Sequence, residues 1–263
     1  MSRSHAHLLP AILNLAGFLG VVTVNVLANA LPLAGKTTGE LSDQFPNLFV
    51  PSGLTFSIWG LIYLLLGIYV VYGLIQGFRM PEDISFMRSI GYLFLVTCIA
   101  NVAWIFSWHY EKLPLSLVFM VVLLGTLAAI YVRLDVGGTA AGPAEKYLVH
   151  MPFSVYFGWI TVATIANVTA LLVAYKWNRF GLSEQFWAII MIGIAAGLAL
   201  WILFSRRDLF YALVIIWAAL GIFLKRTADR STPAQGVIIA SIVCISAVAL
   251  GVAVQIVRGR VYR

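Results

Sequence analysis

Charge is what this sequence has least of. Only 10% of its 263 residues are Asp, Glu, Lys or Arg, against 62% hydrophobic, whereas a soluble domain carries roughly 25% charged residues. The few charges are bunched. None occurs between Arg3 and Lys36, Asp43 and Arg79, Arg88 and Glu111, Lys112 and Arg133, Lys146 and Lys176, Glu184 and Arg206, or Arg230 and Arg258, and a shorter gap separates Asp208 from Lys225. A spanning helix takes about 20 mostly apolar residues. Eight spans are therefore expected, near 9–31, 54–77, 89–109, 114–133, 152–175, 186–204, 208–224 and 236–257. They must be helices, because hydrocarbon offers no partner to a free backbone N–H or C=O. The runs are continuous and not alternating, which argues against a β-barrel. The expected fold class is all-α: a polytopic membrane helix bundle.

Other absences narrow the chemistry. There are two cysteines, Cys98 and Cys244, with no C-x-x-C spacing, and both fall inside spans. They read as small buried side chains. No P-loop, H-E-x-x-H or G-x-S-x-G occurs, and no span core holds an ionisable residue suited to a proton or ion relay. No catalytic or metal-ligating residue is singled out, and no cofactor is required. His109 and Glu111, at the end of the third span, read as interfacial. The net charge of +7 does not imply nucleic acid, since no Lys/Arg cluster is interleaved with aromatics. It reads as anchoring on anionic lipid headgroups.

Orientation follows from the basic residues. With the N-terminus inside, Arg3, Arg79, Arg88, Arg133, Lys146, Arg206, Arg207, Arg258, Arg260 and Arg263 are cytoplasmic. Lys36, Lys112, Lys176, Arg179, Lys225, Arg226 and Arg230 are not. That is 10 against 7, a small bias that puts both termini in the cytoplasm, with the cell membrane as the expected location. Arg3 and Ala28-Asn29-Ala30 resemble the ends of a signal peptide, but the run between them is longer than an h-region of about 7–15 residues. A retained first helix is expected.

Two connections are long. Residues 32–53 hold three prolines, and Thr37 three before Glu40 suits a capped short helix. A lid and a plain connector both remain open for this loop. Residues 135–151 carry Gly137-Gly138 and Gly142-Pro143, which is turn chemistry.

Polar and aromatic residues recur at helical spacing. Phe56, Trp59 and Tyr63 follow i, i+3, i+7 and share a face. Trp59 and Tyr63 lie roughly 12 and 18 Å along the helix from Pro51. Tyr63 is too deep for an interfacial belt, in a core about 30 Å thick. Thr97, Asn101, Trp104 and Trp108 share a face of the third span. Tyr156, Trp159, Ala163 and Asn167 share one of the fifth, and Asn14, Phe18, Asn25 and Asn29 approximately one of the first. Any single stripe is adequately explained by interhelical hydrogen bonding. Four together point to a shared pocket, mostly apolar with a few placed polar groups.

At these residues the sequence resembles the tryptophan-rich sensory protein/translocator protein family, also called the peripheral benzodiazepine receptor family. Its second-helix motif of Pro, Trp, Tyr and Gly appears as Pro51, Trp59, Tyr63 and Gly67. Its third-helix Asn and Trp appear as Asn101 and Trp104, and its fifth-helix Tyr, Trp, Ala and Asn as Tyr156, Trp159, Ala163 and Asn167. The resemblance covers about residues 8–178. Ser52-Gly53 and Ile105-Phe106 stand where members often carry prolines, and KTTGELSDQFPNLF replaces their Trp-rich first loop. The last three helices lack a counterpart in five-helix members. Residues 1–178 are accordingly expected to form the family-like domain and 179–263 an additional three-helix segment.

The resemblance implies a receptor or transporter for a small amphipathic ligand such as a tetrapyrrole (protoporphyrin or haem) or a sterol. Trp59, Tyr63, Asn101, Trp104, Tyr156, Trp159, Ala163 and Asn167 would be its site residues. Alternatives are a membrane enzyme acting on porphyrin-like ligands and a non-catalytic scaffold whose stripes serve only packing. Membrane lipid is an expected partner, and a homodimer stays open.

Overall fold

The computed structural model describes residues 8–31, 33–79, 84–138, 141–229 and 234–259. Arg3, Arg230, Arg260 and Arg263, counted above for orientation, lie outside them. Among the described residues the regular elements are helical and none is a strand. In chain order the helices are α1 (Leu8–Ala30), α2 (Thr38–Asp43), α3 (Ile58–Arg79), α4 (Ser85–Ile90), α5 (Leu93–His109), α6 (Leu113–Arg133), α7 (Pro143–Ala174, π-helical over Lys146–His150), α8 (Glu184–Arg206), α9 (Leu209–Ala228) and α10 (Gln235–Val257). Seven of them are long and apolar enough to cross a membrane. These and α5 account for the eight expected spans.

The shortest of the eight is α5, at 17 residues, and not the 208–224 run, whose helix α9 has 20. Gly91 is the reason. Its backbone lies at φ 52°, ψ −129°, a region that a Cβ makes costly. The helix therefore stops after Ile90 and restarts at Leu93. Gly91→Ala is expected to destabilise the protein by about 1–3 kcal/mol, seen as a lower melting temperature in detergent.

The chain forms two compact units. The first comprises residues 1–37 and 59–157, the second 38–58 and 158–263. In the first, α1 packs on α5 and α5 on α6. On α6 the wholly buried residues are Ser116, Met120, Leu123, Leu127 and Ile130, spaced three or four apart, whereas Val118, Val121, Val122 and Val132 are exposed. The outer face is as apolar as a core, as hydrocarbon on the outside requires. Tyr69, Phe94 and Phe153 form the aromatic centre, with ring centroids 4.9–5.9 Å apart. Asn14 Nδ2 donates to the Tyr69 hydroxyl at 3.3 Å.

In the second unit α8, α9 and α10 pack on one another. On α10 the buried residues Val237, Ser241, Cys244, Val248, Gly251 and Gln255 alternate spacings of four and three. Three of these six, Ser241, Cys244 and Gly251, are small, which lets membrane helices approach closely. Gln255 Nε2 donates to the Leu203 carbonyl at 2.8 Å. Between α8 and α9 the chain reverses at Arg207 (φ 57°). Asp208 then caps α9, its Oδ1 accepting from the N–H groups of Phe210 and Tyr211 at 3.0 and 3.3 Å, which satisfies donors that the first helical turn leaves open.

Residues 38–58 are ordered on this unit. The short helix expected near Thr37 is α2. After it Asn47 Oδ1 accepts from the N–H groups of both Phe49 and Val50 at 3.0 Å, an Asx turn that buries Leu48, Phe49 and Val50. A 3-10 turn over Gly53–Ser57 leads into α3.

Candidate functional site

Five of the eight expected site residues come together in the first unit. The spacing of four on α3 stacks Trp59 on Tyr63, centroids 5.6 Å apart. Trp59 also stacks on Trp104 of α5 at 5.8 Å and meets Tyr156 of α7 edge-on at 6.1 Å. Trp108, one turn beyond Trp104, extends the stack at 6.3 Å. Beside the rings, Asn101 is completely buried. Its Oδ1 accepts from Asn25 Nδ2 at 2.8 Å and its Nδ2 donates to the Tyr156 hydroxyl at 3.0 Å. One side chain thus ties α1, α5 and α7 together inside hydrocarbon, where an amide without partners is costly.

Two polar atoms of this cluster are left over. The Trp104 indole N–H and the Tyr63 hydroxyl are buried and complete no hydrogen bond of ordinary geometry; Asn101 is the polar side chain beside the Tyr63 hydroxyl. Buried polar groups are normally bonded, so each such exception calls for an explanation. Trp104 and Tyr156 are buried, whereas Trp59 and Tyr63 are half-buried. Those two rings are the cluster's accessible surface.

The other three residues lie in the second unit. Trp159 is buried and meets Phe56 edge-on at 5.9 Å. Asn167 is buried and Ala163 half-buried on the same helix. The second unit also contains an open cavity of about 610 Å³. Its apolar wall includes Ile165, Val168 and Leu172 of α7, Ala188 and Met191 of α8, and Leu48 and Phe49 of the ordered loop. Lys176, Trp177, Arg179, Glu184 and Trp187 stand around one end. None of the eight expected residues is among those that line it.

Sequence reasoning passed over those end residues because Trp beside Lys or Arg at a span end reads as an interfacial belt. The overlooked signal is the pairing of WNRF (177–180) with Trp187 ten residues after Trp177. Asn25 stood in an expected stripe but was not singled out. His109 and Glu111 do not pair. His109 is buried with Nδ1 2.9 Å from the Ile105 carbonyl, and Glu111 pairs with Lys36 at 3.3 Å. Among the described residues no three of His, Cys, Asp and Glu are grouped as a metal site.

The model of the family described as TSPO-like protein matches residues 11–254. The match runs through α8, α9 and α10 instead of stopping after α7, so the C-terminal helices fall within the matched region. No curated protein and no solved structure matches significantly.

Proposed function

Because this chain belongs to the TSPO-like protein family and is an integral membrane protein with seven spanning-length apolar helices, we propose that it is a receptor or transporter for a small, flat, amphipathic ligand such as a tetrapyrrole or a sterol. The ligand lies against Trp59 and Tyr63 in the cell membrane, with both protein termini cytoplasmic. The observation that carries this reading is the pair of buried, unbonded groups, the Trp104 N–H and the Tyr63 hydroxyl, beside two half-buried stacked rings. Stacked rings offer an extended apolar face to a flat ligand, and the two polar groups would meet its polar edge.

Protoporphyrin titrated into the protein in nanodiscs is expected to quench tryptophan fluorescence saturably. Trp59→Ala should weaken binding by about tenfold, from lost stacking and apolar area. Tyr63→Phe, which removes only the hydroxyl, should weaken it by a smaller factor. Weak quenching in the native protein, unchanged by both substitutions, refutes the proposal.

A further inference from the structure

We infer that the cavity of the second unit is a separate binding site for an amphipathic acid, a molecule with an elongated apolar body and one anionic head. It shares no residue with the Trp59 cluster.

The shape of the cavity argues for the body. Its α7 wall runs from Thr164 to Val173, a rise of roughly 14 Å along the helix. The opposite sides are Ala188 and Met191 of α8 and the loop residues Leu48 and Phe49. The result is a slot along a membrane helix with apolar walls. A volume of about 610 Å³ falls in the range of small-molecule sites, roughly 300–1,000 Å³.

The end of the slot argues for the head. It is built where α7 finishes and α8 begins, and its Trp, Lys and Arg residues are those that favour the membrane–water interface. It is also a constructed surface. Trp177 packs against Trp187 and Phe180, with centroids 5.2 Å apart in both pairs. Trp187 Nε1 donates to the Arg179 carbonyl at 3.0 Å, and Ser183 caps α8 through the Phe186 N–H at 3.1 Å. Of its charges, Arg179 and Glu184 pair at 3.3 Å. Lys176 has no ion-pair or hydrogen-bond partner for its side chain among the described residues, which leaves one uncompensated cation at the mouth of an apolar slot.

The backbone at Lys176 adds to the case. The Lys176 N–H donates to the Val173 carbonyl and the Trp177 N–H to the Leu172 carbonyl, at 2.9 and 3.0 Å. This closure of α7 puts Lys176 in the left-handed region, at φ 53°. Glycine is the usual residue there. Lysine holds the position against a conformational penalty and brings a positive charge to the slot. An amphiphile seated with its tail along α7 and its head at Lys176 would have the orientation of a membrane lipid. A free fatty acid supplies such an anionic head as a carboxylate, and an anionic phospholipid supplies it as a phosphodiester.

The test uses the full chain in neutral-lipid nanodiscs and dibromostearate, whose bromines quench tryptophan on contact. Saturable quenching is expected, and it should be lost in a Trp177→Phe/Trp187→Phe double variant. The dibrominated alcohol of the same chain length should bind about tenfold or more weakly, as expected for loss of a charge-assisted bond. Lys176→Gly should weaken acid binding by a similar factor without lowering the melting temperature, since glycine suits the left-handed backbone. That stability readout separates loss of the cation from misfolding. Competition by dioleoyl-phosphatidylglycerol identifies a lipid occupant, and its failure to compete identifies a free amphipathic acid. Equal affinity for acid and alcohol with no effect of Lys176→Gly overturns the inference. So does quenching that rises without saturation and persists in the double variant.

Discussion

Asn101→Ala is expected to destabilise the protein by about 2–3 kcal/mol. Asn101 is fully buried and makes two bonds to other helices, accepting from Asn25 at 2.8 Å and donating to Tyr156 at 3.0 Å. Interhelical hydrogen bonds in membrane proteins average only about 0.6 kcal/mol each, with a maximum near 1.7. Two of them, plus the packing forfeited around a small cavity, give the total. Asn25→Ala should cost less, about 1 kcal/mol, because it removes a single bond to another helix. Its second partner, the Val21 carbonyl at 3.0 Å, belongs to its own helix. In a double-mutant cycle the Asn25–Asn101 coupling should be about 0.5–1.5 kcal/mol, measured from SDS unfolding followed by tryptophan fluorescence. Thr126→Ala serves as the reference, since that hydroxyl donates within its own helix to the Val122 carbonyl. An Asn101→Ala variant as stable as Thr126→Ala would show that the asparagine relay is not a structural tie.

The same relay shows what the sequence makes legible and what it does not. The spans could be read because the bilayer dictates their length and excludes charge from them. The first-unit cluster could be read in part, because positions three and four apart on a helix share a face. That paired Trp59 with Tyr63, and Asn101 with Trp104. Spacing does not say which neighbour a face meets. Tyr156 and Trp159 sit three apart on α7, yet Tyr156 bonds Asn101 in the first unit and Trp159 packs on Phe56 in the second. The break at Gly91 could not be distinguished from a tolerated helix glycine, because its cause is a backbone angle. The second-unit cavity was illegible for another reason. Its walls come from residues 46–49 and from residues 164–191, so only the folded chain brings them together.

What joins those distant segments leads to the second large effect. Gly221→Leu is expected to break the attachment of the 43–55 segment to α9, and Gly221→Ala to destabilise the protein by about 1–3 kcal/mol. Three residues spaced by four on α9 hold the segment. Trp217 Nε1 donates to the Thr55 carbonyl at 3.0 Å, the Gly221 carbonyl accepts from the Ser52 N–H at 3.0 Å, and Lys225 forms an ion pair with Asp43. A Cβ on Gly221 would lie 2.9 Å from the Pro51 Cβ and would overlap the Thr55 side chain. Thr55 is buried and has little room to yield. The clash opposes a helix-propensity gain of about 1 kcal/mol on replacing glycine by alanine. Gly193→Ala and Gly197→Ala isolate that gain, because nothing lies within 4 Å of an added Cβ at either position. Those two variants should be neutral or slightly stabilised, and Gly221→Ala clearly less stable than both. The segment also supplies Leu48 and Phe49 to the cavity wall, so Gly221→Leu should both expose residues 44–50 to proteolysis and weaken dibromostearate binding. A Gly221→Ala protein that melts with Gly193→Ala, its loop still protected, would mean that the close approach at Gly221 does not hold the cavity wall in place.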